Sequence, residues 1–536
     1  MEYDHRYDLE LISIPNMIRE SAKKYGDTVA LIEGDIRWTY RDLETVMLDS
    51  VRGMIALGIK PGDRVAVAGP NSARWIQAAL GIQGAGGVLI PINTRFKGTE
   101  IGYILEKSDA AAFVTVDDFL GNKYVDMVRE ATPHARALNN VITLEDEVIG
   151  GATPFCDVIG KLAQTVPVEE AIARVAAITS EDLSDVMFTS GTTGTPKGVM
   201  ISHAQSLRAF GNIATLQTFH HGDVFLVVPP FFHAFGYKAG WFCSFILGLT
   251  VIPQRTFDPD EILEKVERYG VSILVGPPTI FVDLMDSYRR NKRDISTLRA
   301  SAVSAANISE AVITNMRDIL GFEVVLTGYG LTEASAAVTS NTPEDDFHHI
   351  ATTAGKHLGG VEVRIVDDND NEMPIGSAGE IQARGFTVTR GYWQEPEQTA
   401  ATITPEGWLR TGDIGYLDED GYLRITDRKK DMFIVGGFNA YPAEIETIMA
   451  AHPKILHVAV VGIPDERMGE VGAAFVVPLA GETLTEGEVR EYARTHLANF
   501  KVPRKIFIVD DLPRNASLKV QKFVLREQLL AGRARD

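Results

Sequence analysis

Cysteine is nearly absent from this sequence, with only Cys156 and Cys243 among 536 residues. The two lie far apart and form no Cys-x-x-Cys pair, so the sequence supports neither a disulfide framework nor a cysteine-based zinc site. Because so few thiols fit a reducing compartment, we expect a cytoplasmic protein.

The sequence also lacks an apolar run long enough to span a membrane. The two longest, around residues 78–92 and 240–253, fall short of the ~18 residues that a transmembrane helix needs, and they predict buried helices and strands. The N-terminus, from Met1 to His5, is polar and acid-rich, unlike a secretory signal peptide. The prediction is a soluble protein with no integral membrane segment.

Basic residues are the minority charge, since 52 Lys and Arg stand against 72 Asp and Glu for a formal net charge of −20. This balance disfavours nucleic acid and anionic membrane surfaces as partners. The apolar fraction of 45% beside 23% charged residues is typical of globular proteins. The chain also exceeds the roughly 250–300 residues at which single cores stop growing, so we expect more than one domain.

The first part of the chain alternates between helical and strand patterns. A helix is predicted behind the capping pair Thr39 and Asp42, and short buried strands are predicted at 64–68 and 88–90. Such alternation predicts layered α/β architecture with largely parallel sheets. We assign it to a large N-terminal domain, residues 1–429.

The last hundred residues follow a different pattern. Strands are predicted at 457–461, 474–477 and 505–509. A helix is predicted behind Thr485, with Glu488 as its capping partner. This order predicts a small α+β domain, residues 430–536, and the polar run at 426–431 marks the boundary.

The most informative stretch is rich in glycine and hydroxyl side chains and follows a predicted strand at 186–188. It reads Thr189-Ser190-Gly191-Thr192-Thr193-Gly194-Thr195-Pro196-Lys197-Gly198. Glycines let backbone N–H groups approach closely, hydroxyls add donors and Lys197 adds charge, which suits a loop that cradles a polyphosphate. It is not a Walker A loop, because Gly198 follows the lysine and residues 199–201 predict a strand. A flexible Gly/Thr hairpin is the alternative.

This loop resembles the signature of the adenylate-forming superfamily, which includes acyl-CoA synthetases, luciferases and the adenylation domains of peptide synthetases. Further motifs follow in the superfamily's order from about Asp27 to Lys522. The resemblance implies a large domain of layered sheets flanked by helices, a small mobile C-terminal domain, and the use of ATP, Mg²⁺ and coenzyme A. It gives Thr189 and Lys197 catalytic roles. It assigns nucleotide binding to Ser190, Gly191, Thr192, Thr193 and Gly194.

The stretch Gly328-Tyr329-Gly330-Leu331-Thr332-Glu333 resembles the superfamily's Tyr-Gly-x-Thr-Glu motif. By that resemblance, Tyr329 stacks on adenine, Thr332 contacts the α-phosphate and Glu333 helps hold Mg²⁺, with Gly328 and Gly330 beside the nucleotide. An aromatic face suits a flat base, and a carboxylate with phosphate oxygens is a usual Mg²⁺ environment. Taken alone, the stretch is equally consistent with a Gly-rich turn and a solvated glutamate.

Two further stretches complete the predicted nucleotide site. Ser304, Ala305 and Ala306 stand where the superfamily usually has Gly-Ala-Ala, and their small side chains would let the backbone lie along adenine. Because Ser304 replaces a glycine, we expect a different local turn or acyl-pocket floor; a strand end with small residues is the alternative. Residues 411–413 resemble the Thr-Gly-Asp motif, in which Asp413 accepts hydrogen bonds from both ribose hydroxyls.

The run at 427–431 resembles the superfamily's hinge. By that resemblance, Arg428 contacts ribose or phosphate and the backbone at Lys430 rotates. Gly436 and Gly437 would line the pantetheine tunnel of the acyl-CoA synthetase branch, where missing side chains leave a narrow passage open. A solvated turn is the commoner interpretation of such a charged run.

The stretch at 512–520 resembles the C-terminal catalytic-lysine loop. Lys519 matches the lysine that bridges the substrate carboxylate and the α-phosphate during adenylation. Leu518 stands where the superfamily usually has glycine, and we expect it to restrict the loop and slow the first half-reaction. Without the resemblance, a lone lysine in a tail is simply solvated.

The aromatic run at 229–238 matches the segment that gates the acyl pocket, with His233 at the gating position and Phe235 and Tyr237 beside the substrate. A buried structural histidine is the alternative for His233. Neighbouring strings at 232–240 and 499–503 look similar to actinobacterial fatty-acid-type ligases, in particular those for bicyclic propanoates from steroid-ring breakdown. Medium- and long-chain fatty acids and aryl or alicyclic acids remain open.

The resemblance implies an AMP-forming carboxylic acid–CoA ligase that makes an acyl-adenylate and then, by domain alternation, an acyl-CoA thioester. Three alternatives remain open. They are an acyl-adenylate ligase loading a separate carrier protein, a luciferase-like oxygenase, and a catalytically weak adenylate-binding homologue. The chain ends soon after Lys519 with no appended carrier module, so a carrier would be a separate protein. A homodimer is suggested only by the family.

Overall fold

The computed structural model describes most of the chain. The described residues are 12–189, 196–304, 308, 310–428, 431–435, 438–465, 467–515 and 518–532. They form sheets of nine, seven, five, four and two strands, with helices packed against them.

The largest sheet has nine strands and a parallel centre. In sheet order the strands are Lys356–His357, Thr339–Ser340, Val324–Tyr329, Ala300–Val303, Ile273–Gly276, Val224–Val227, Thr250–Pro253, Val29–Glu33 and Ile36–Thr39. Those from Val324–Tyr329 to Val29–Glu33 run parallel, and antiparallel strands lie at both ends. The parallel strands are rich in buried aliphatic residues, as expected of a sheet covered on both faces.

The second sheet has seven strands and is also largely parallel. In sheet order they are Lys197–Ser202, Leu183–Thr189, Val88–Ile92, Arg64–Ala68, Ala112–Thr115, Val141–Thr143 and Thr153–Pro154. The exception is the antiparallel hairpin of the first two strands. This hairpin carries the predicted phosphate loop between its strands.

Two further sheets are antiparallel or mixed. The four-stranded sheet consists of Val361–Val366, Gly379–Gly385, Leu409–Leu417 and Leu423–Arg428. The five-stranded C-terminal sheet consists of Phe438–Ala440, Phe433–Val435, Gly469–Pro478, Ile455–Asp465 and Lys505–Ile508. A small hairpin pairs Asp118–Phe119 with Asn122–Lys123.

Helices connect and cover these sheets. The α-helices are Ile14–Tyr25, Tyr40–Ala56, Ala73–Gly84, Gly98–Lys107, Tyr124–Ala131, Phe155–Asp157, Val168–Ala176, His203–Leu216, Ala234–Gly236, Cys243–Leu247, Pro259–Tyr269, Pro278–Arg290, Glu310–Leu320, Phe347–Thr352, Pro396–Thr402, Pro442–Ala450, Glu486–His496 and Lys522–Leu530. Shorter 3₁₀- and π-helical segments are Arg136–Asn139, Val158–Leu162, Ala163–Thr165, Tyr237–Phe242 and Thr332–Ala334. Within the part of the chain that the structure describes, no helix is both long and apolar enough to cross a membrane.

The buried side chains form separate clusters in the two parts of the chain. The largest cluster joins the two parallel sheets, and a second packs the helices between 259 and 320 against the nine-stranded sheet. Two smaller clusters cover the two faces of the C-terminal sheet. The C-terminal sheet therefore has its own core.

The predicted fold class, layered α/β with a smaller C-terminal α+β unit, is confirmed. The capping boxes at Thr39 and Thr485 are both present. One detail differs: the polar run at 426–431 begins inside the strand Leu423–Arg428, because antiparallel pairing with Leu409–Leu417 extends to Arg428. The domain boundary between residues 429 and 430 stays a prediction, and both residues lie outside the described ones.

Candidate active site

The predicted adenine site lies at the carboxyl edge of the nine-stranded sheet. Val303 pairs with Thr327 in parallel register, so the residues that follow these strands meet at one edge. The Ser304 hydroxyl donates a hydrogen bond to the carbonyl oxygen of Gly328, 2.8 Å away. The serine that replaces the usual glycine thus ties the two strand ends together.

Tyr329 and Asp413 meet although 84 residues separate them. The Tyr329 hydroxyl donates to Oδ2 of Asp413 over 2.5 Å. Asp413 lies on the strand Leu409–Leu417 of the four-stranded sheet, opposite Arg428 in register. An aromatic ring and a nearly buried carboxylate therefore stand side by side, as the predicted nucleoside site requires.

Glu333 has a partner that the sequence patterns did not suggest. It lies in the short helical turn Thr332–Ala334, and the Tyr392 hydroxyl donates to its Oε1 over 3.0 Å. Burial, followed by the charge of Glu333, raises the pKa of Tyr392 above its ordinary value. The phenol therefore keeps its proton and acts as a fixed donor to the carboxylate.

The two ends of the predicted phosphate loop are held together. Thr189 and Lys197 are opposite each other in the hairpin register. The Lys197 ammonium donates to Oε1 of Gln398 over 2.8 Å and lies 5.3 Å from the centre of the Tyr392 ring. Tyr392 thus contacts both Lys197, which is predicted to bind phosphate, and Glu333, which is predicted to hold Mg²⁺.

His233 caps the short helix Ala234–Gly236, and its Nδ1 accepts a hydrogen bond from the Phe235 N–H over 3.2 Å. Its side chain is half-buried. Burial, and to a smaller extent the positive charge of Lys519, lowers the pKa of His233 to about 3. The imidazole is therefore neutral at physiological pH, and it lies within range of the charge of Lys519, the predicted catalytic lysine.

Tyr237 lies in the core. Its ring is fully buried and stacks on Trp241 with ring centres 5.0 Å apart, and its hydroxyl accepts from Nε2 of Gln83 over 2.7 Å. The neighbouring Lys238 forms a fully buried ion pair with Asp185, 3.0 Å long. Phe235 is half-buried. These contacts make Tyr237 part of the support of the predicted acyl segment, and its contact with substrate stays a prediction.

Outside the described residues lie Ser190, Gly191, Thr192, Thr193, Gly194, Ala305, Ala306, Lys430, Gly436 and Gly437. The predicted roles of these residues, and of the Arg428 side chain, stay predictions.

Sequence comparison places the chain among known enzymes. Residues 18–393 match the family described as AMP-binding enzyme, and residues 444–519 match the AMP-binding enzyme C-terminal domain. The chain is 43% identical over 522 residues to the 3-[(3aS,4S,7aS)-7a-methyl-1,5-dioxo-octahydro-1H-inden-4-yl]propanoyl:CoA ligase of Rhodococcus jostii (strain RHA1), covering 96% of this chain and 98% of the relative. It is 30% identical over 530 residues to a mitochondrial medium-chain acyl-CoA ligase of Mus musculus, covering 95% and 86% respectively.

Structural comparison agrees. The crystal structure of ATP-bound MatB from Rhodopseudomonas palustris matches with a TM-score of 0.83 at 30% identity, covering 97% of this chain and 99% of that chain. The family match, the full-length relatives and the shared fold define an enzyme of the adenylate-forming class. The chain belongs to the family of AMP-binding enzymes.

Proposed function

We propose that this AMP-forming acyl-CoA ligase activates a ring-bearing propanoate, and that residues of the candidate active site bind the nucleotide and stabilise the transition state. ATP and coenzyme A are its co-substrates. The relative from Rhodococcus jostii, whose name specifies a bicyclic propanoate, supports this substrate class because the likeness extends over nearly the whole length of both chains. One observation supports the assignment of roles: Lys519 of the C-terminal part is near enough to His233 of the N-terminal part for its positive charge to lower the pKa of that imidazole.

In the first half-reaction, a carboxylate oxygen of the acid attacks the α-phosphorus of ATP, and pyrophosphate leaves with the electrons of the broken P–O bond. Attack brings negative groups together, so fixed cations stabilise the transition state more than an acid–base pair would. Lys519 would bridge the carboxylate and the α-phosphate. Lys197, fixed by Gln398, would face the leaving phosphates.

The nucleoside would be held by Tyr329 and Asp413. The ring offers a face for adenine, and the carboxylate can accept from two ribose hydroxyls. Their mutual hydrogen bond of 2.5 Å fixes both side chains before the ligand arrives. Such preorganisation reduces the entropy lost on binding.

The donor set around Glu333 fits Mg²⁺, which prefers a carboxylate supplemented by phosphate oxygens and water. The Tyr392 hydroxyl engages Oε1 of Glu333 and so orients the carboxylate. When bound, the ion would neutralise charge on the phosphates. Among the described residues, no group of three or more His, Cys, Asp or Glu forms an all-protein metal site, so Mg²⁺ would arrive with ATP.

In the second half-reaction, the CoA thiolate attacks the acyl carbon and AMP leaves. This step would require Lys519 to withdraw and the face around Gly436 and Gly437 to approach, by rotation at Lys430. Two reactions that share one pocket explain why the chain has a second, separately folded part.

The test separates the half-reactions. Wild-type enzyme with ATP and a panel of acids (a bicyclic ring propanoate, octanoate and benzoate) should release pyrophosphate fastest with the ring propanoate, and CoA should then be consumed. Lys519→Ala should lower acyl-adenylate formation about 10²–10³-fold, the effect of one preorganised electrostatic group, while thioester formation from supplied acyl-AMP largely persists.

Lys505→Ala is the matched control, because Lys505 is an exposed lysine of the same C-terminal part. It should leave both half-reactions unchanged. Equal losses of both half-reactions in Lys519→Ala would contradict the role of Lys519. Preference for a straight-chain or aryl acid would contradict the proposed substrate class, and adenylation without CoA consumption would favour loading of a carrier protein.

A further inference from the structure

Three groups of the C-terminal part contact one helix of the N-terminal part. The helix is Pro278–Arg290, called the docking helix below. Thr279 and Asp283 stand four residues apart on it and so share one face. Both side chains bond across to the C-terminal part, which places one face of the docking helix against the catalytic-lysine loop.

Asp283 receives two donors from the C-terminal part. Nη1 of Arg514 donates to Oδ2 of Asp283 over 2.9 Å, and Nε2 of His457 is 3.1 Å from Oδ1. The side chains of Asp283, Arg514 and His457 are only 20%, 14% and 8% exposed. At this depth a hydrogen-bonded ion pair is less screened than a surface pair, so removal of one partner leaves a charge poorly compensated.

The ionisation of Asp283 supports this geometry. Burial would raise the pKa of Asp283, but the hydrogen bond and charge of His457, together with Arg514, outweigh it and lower the pKa below its ordinary value. The carboxylate is therefore charged at neutral pH. A carboxylate only accepts hydrogen bonds, so Nε2 of His457 carries the proton in this contact.

A second contact anchors the other side of the loop. The Thr279 hydroxyl donates to the carbonyl oxygen of Leu518 over 3.3 Å. The Leu518 side chain packs against the hydrophobic cluster that the docking helix helps to form. The residue next to Lys519 is thus attached through both its backbone and its side chain.

Between these anchors, the loop is internally tied. Asn515 Oδ1 accepts from the N–H of Lys519 over 2.9 Å, and the Asn515 N–H donates to the carbonyl oxygen of Lys519 over 2.8 Å. Arg514 and Val520 form an isolated β-bridge. These bonds join Arg514 and Asn515 to Lys519 and Val520, so fixing Arg514 and Leu518 also fixes the backbone of Lys519.

We propose that Asp283 is a positioning residue for the adenylation half-reaction: it holds Arg514 and His457 so that the loop presents Lys519 to the site. The proposal rests on the function proposed above. Rotation of the C-terminal part would separate Asp283 from both partners, so this contact stabilises only the arrangement in which the charge of Lys519 acts on His233. A misplaced reacting group slows a reaction steeply, whereas the thioester step takes place without these contacts.

The experiment uses the full-length enzyme and Asp283→Asn, which keeps size and removes charge. Adenylation, measured by pyrophosphate release, should fall about tenfold in kcat, with the KM for ATP little changed. Thioester formation from supplied acyl-AMP should be equal to or faster than wild type. Asp283→Glu should recover part of the lost rate, and Asp283→Asn combined with Arg514→Gln should be little slower than either single variant.

Asp286→Asn is the matched control, because Asp286 lies on the same helix and pairs with Arg290 within it. It should change neither half-reaction. Amide hydrogen exchange adds a readout that does not depend on activity: exchange in the peptide 512–520 should rise in Asp283→Asn, while the strand Val324–Tyr329 keeps its protection.

Unchanged exchange at 512–520, or equal slowing of both half-reactions in Asp283→Asn, would overturn the proposal even if the wild type is an active ligase. Raised exchange at 512–520 in Asp283→Asn with no pyrophosphate release by the wild type would support docking and overturn the proposed function instead. The two failures are therefore distinguishable.

Discussion

Two glycine positions of the adenylate-forming motifs show different physical demands in this molecule. At Gly330, in the stretch predicted to bind the nucleotide, a Cβ would fall 2.2 Å from the backbone carbonyl carbon of Ala336. At the catalytic-lysine loop, the usual glycine is replaced by Leu518, whose φ is +61°. The first position has no room for a side chain, whereas the second needs only a left-handed backbone.

This difference in available space explains why position 330 keeps its glycine while leucine is tolerated at position 518. A backbone clash cannot be relieved by a rotamer change, so Gly330 has no tolerable substitute without movement of the 331–337 turn. A left-handed residue costs roughly 1–2 kcal/mol, and Leu518 offsets this by packing against the N-terminal cluster. The expected restriction of the loop at Leu518 therefore takes the form of an anchored left-handed residue.

Gly330→Ala is the largest effect we expect from this comparison. The added methyl group would push against the backbone of Ala336 and Ala337, and displacement of that turn also moves Glu333. We expect a loss of about 3 kcal/mol in the free energy of unfolding, at the upper end for overpacking, and at least tenfold slower adenylation. Urea unfolding and pyrophosphate release measure the two effects.

Gly160→Ala is the control for Gly330→Ala, because a Cβ at Gly160 meets nothing within 4 Å. It should change the free energy of unfolding by less than about 1 kcal/mol. Wild-type stability and activity in Gly330→Ala would show that the 331–337 turn moves freely, and the comparison would lose its basis.

Much of the fold follows from local sequence. The capping pairs Thr39 with Asp42 and Thr485 with Glu488 set helix starts that the structure confirms. Short apolar runs set the strands, because buried parallel strands need little else. The extension of the polar run at 427–428 into a strand was not predicted, since it depends on pairing with a strand more than ten residues earlier.

The site was predictable only where a motif carries it. Tyr329, Glu333 and Asp413 stand out through their neighbours in sequence, and the structure brings Tyr329 and Asp413 together. Tyr392 and Asp283 have no such signal. Their roles depend on partners 59 or more residues away, and an isolated tyrosine or helical aspartate is ordinarily unremarkable in a sequence.

Mild acid should destabilise the N-terminal part around His203 while the catalytic-lysine loop stays docked on Asp283. Burial lowers the pKa of His203 to about 3, and its Nδ1 accepts from the Ile14 N–H. The unfolded chain binds this proton near pH 6.5 and the folded chain does not, so stability is full above pH 6.5 and falls as the pH decreases toward 3. At pH 5 the loss is about 2 kcal/mol. Asp283 stays ionised there because its pKa is lowered, so the loop remains docked.

His203→Asn tests this effect, since an amide oxygen can still accept from the Ile14 N–H but does not titrate. The difference in unfolding free energy between pH 7 and pH 5 should shrink by about 2 kcal/mol. The half-buried His233, whose pKa is also lowered to about 3, leaves a residual acid sensitivity. An unchanged pH dependence in His203→Asn would contradict the buried neutral imidazole.

The smallest expected effect separates the two contributions of Leu518. Leu518→Ala keeps the left-handed strain and removes most of the packing, so it should lower the free energy of unfolding by about 1–2 kcal/mol. Leu518→Gly also removes the strain of the φ of +61° and should lie within about 1 kcal/mol of wild type. Urea unfolding gives the free energy of unfolding of both variants, and the difference between Leu518→Gly and Leu518→Ala measures the backbone strain. If glycine proves no better than alanine, positive φ is not the demand at this position, and the contrast with Gly330 loses its basis.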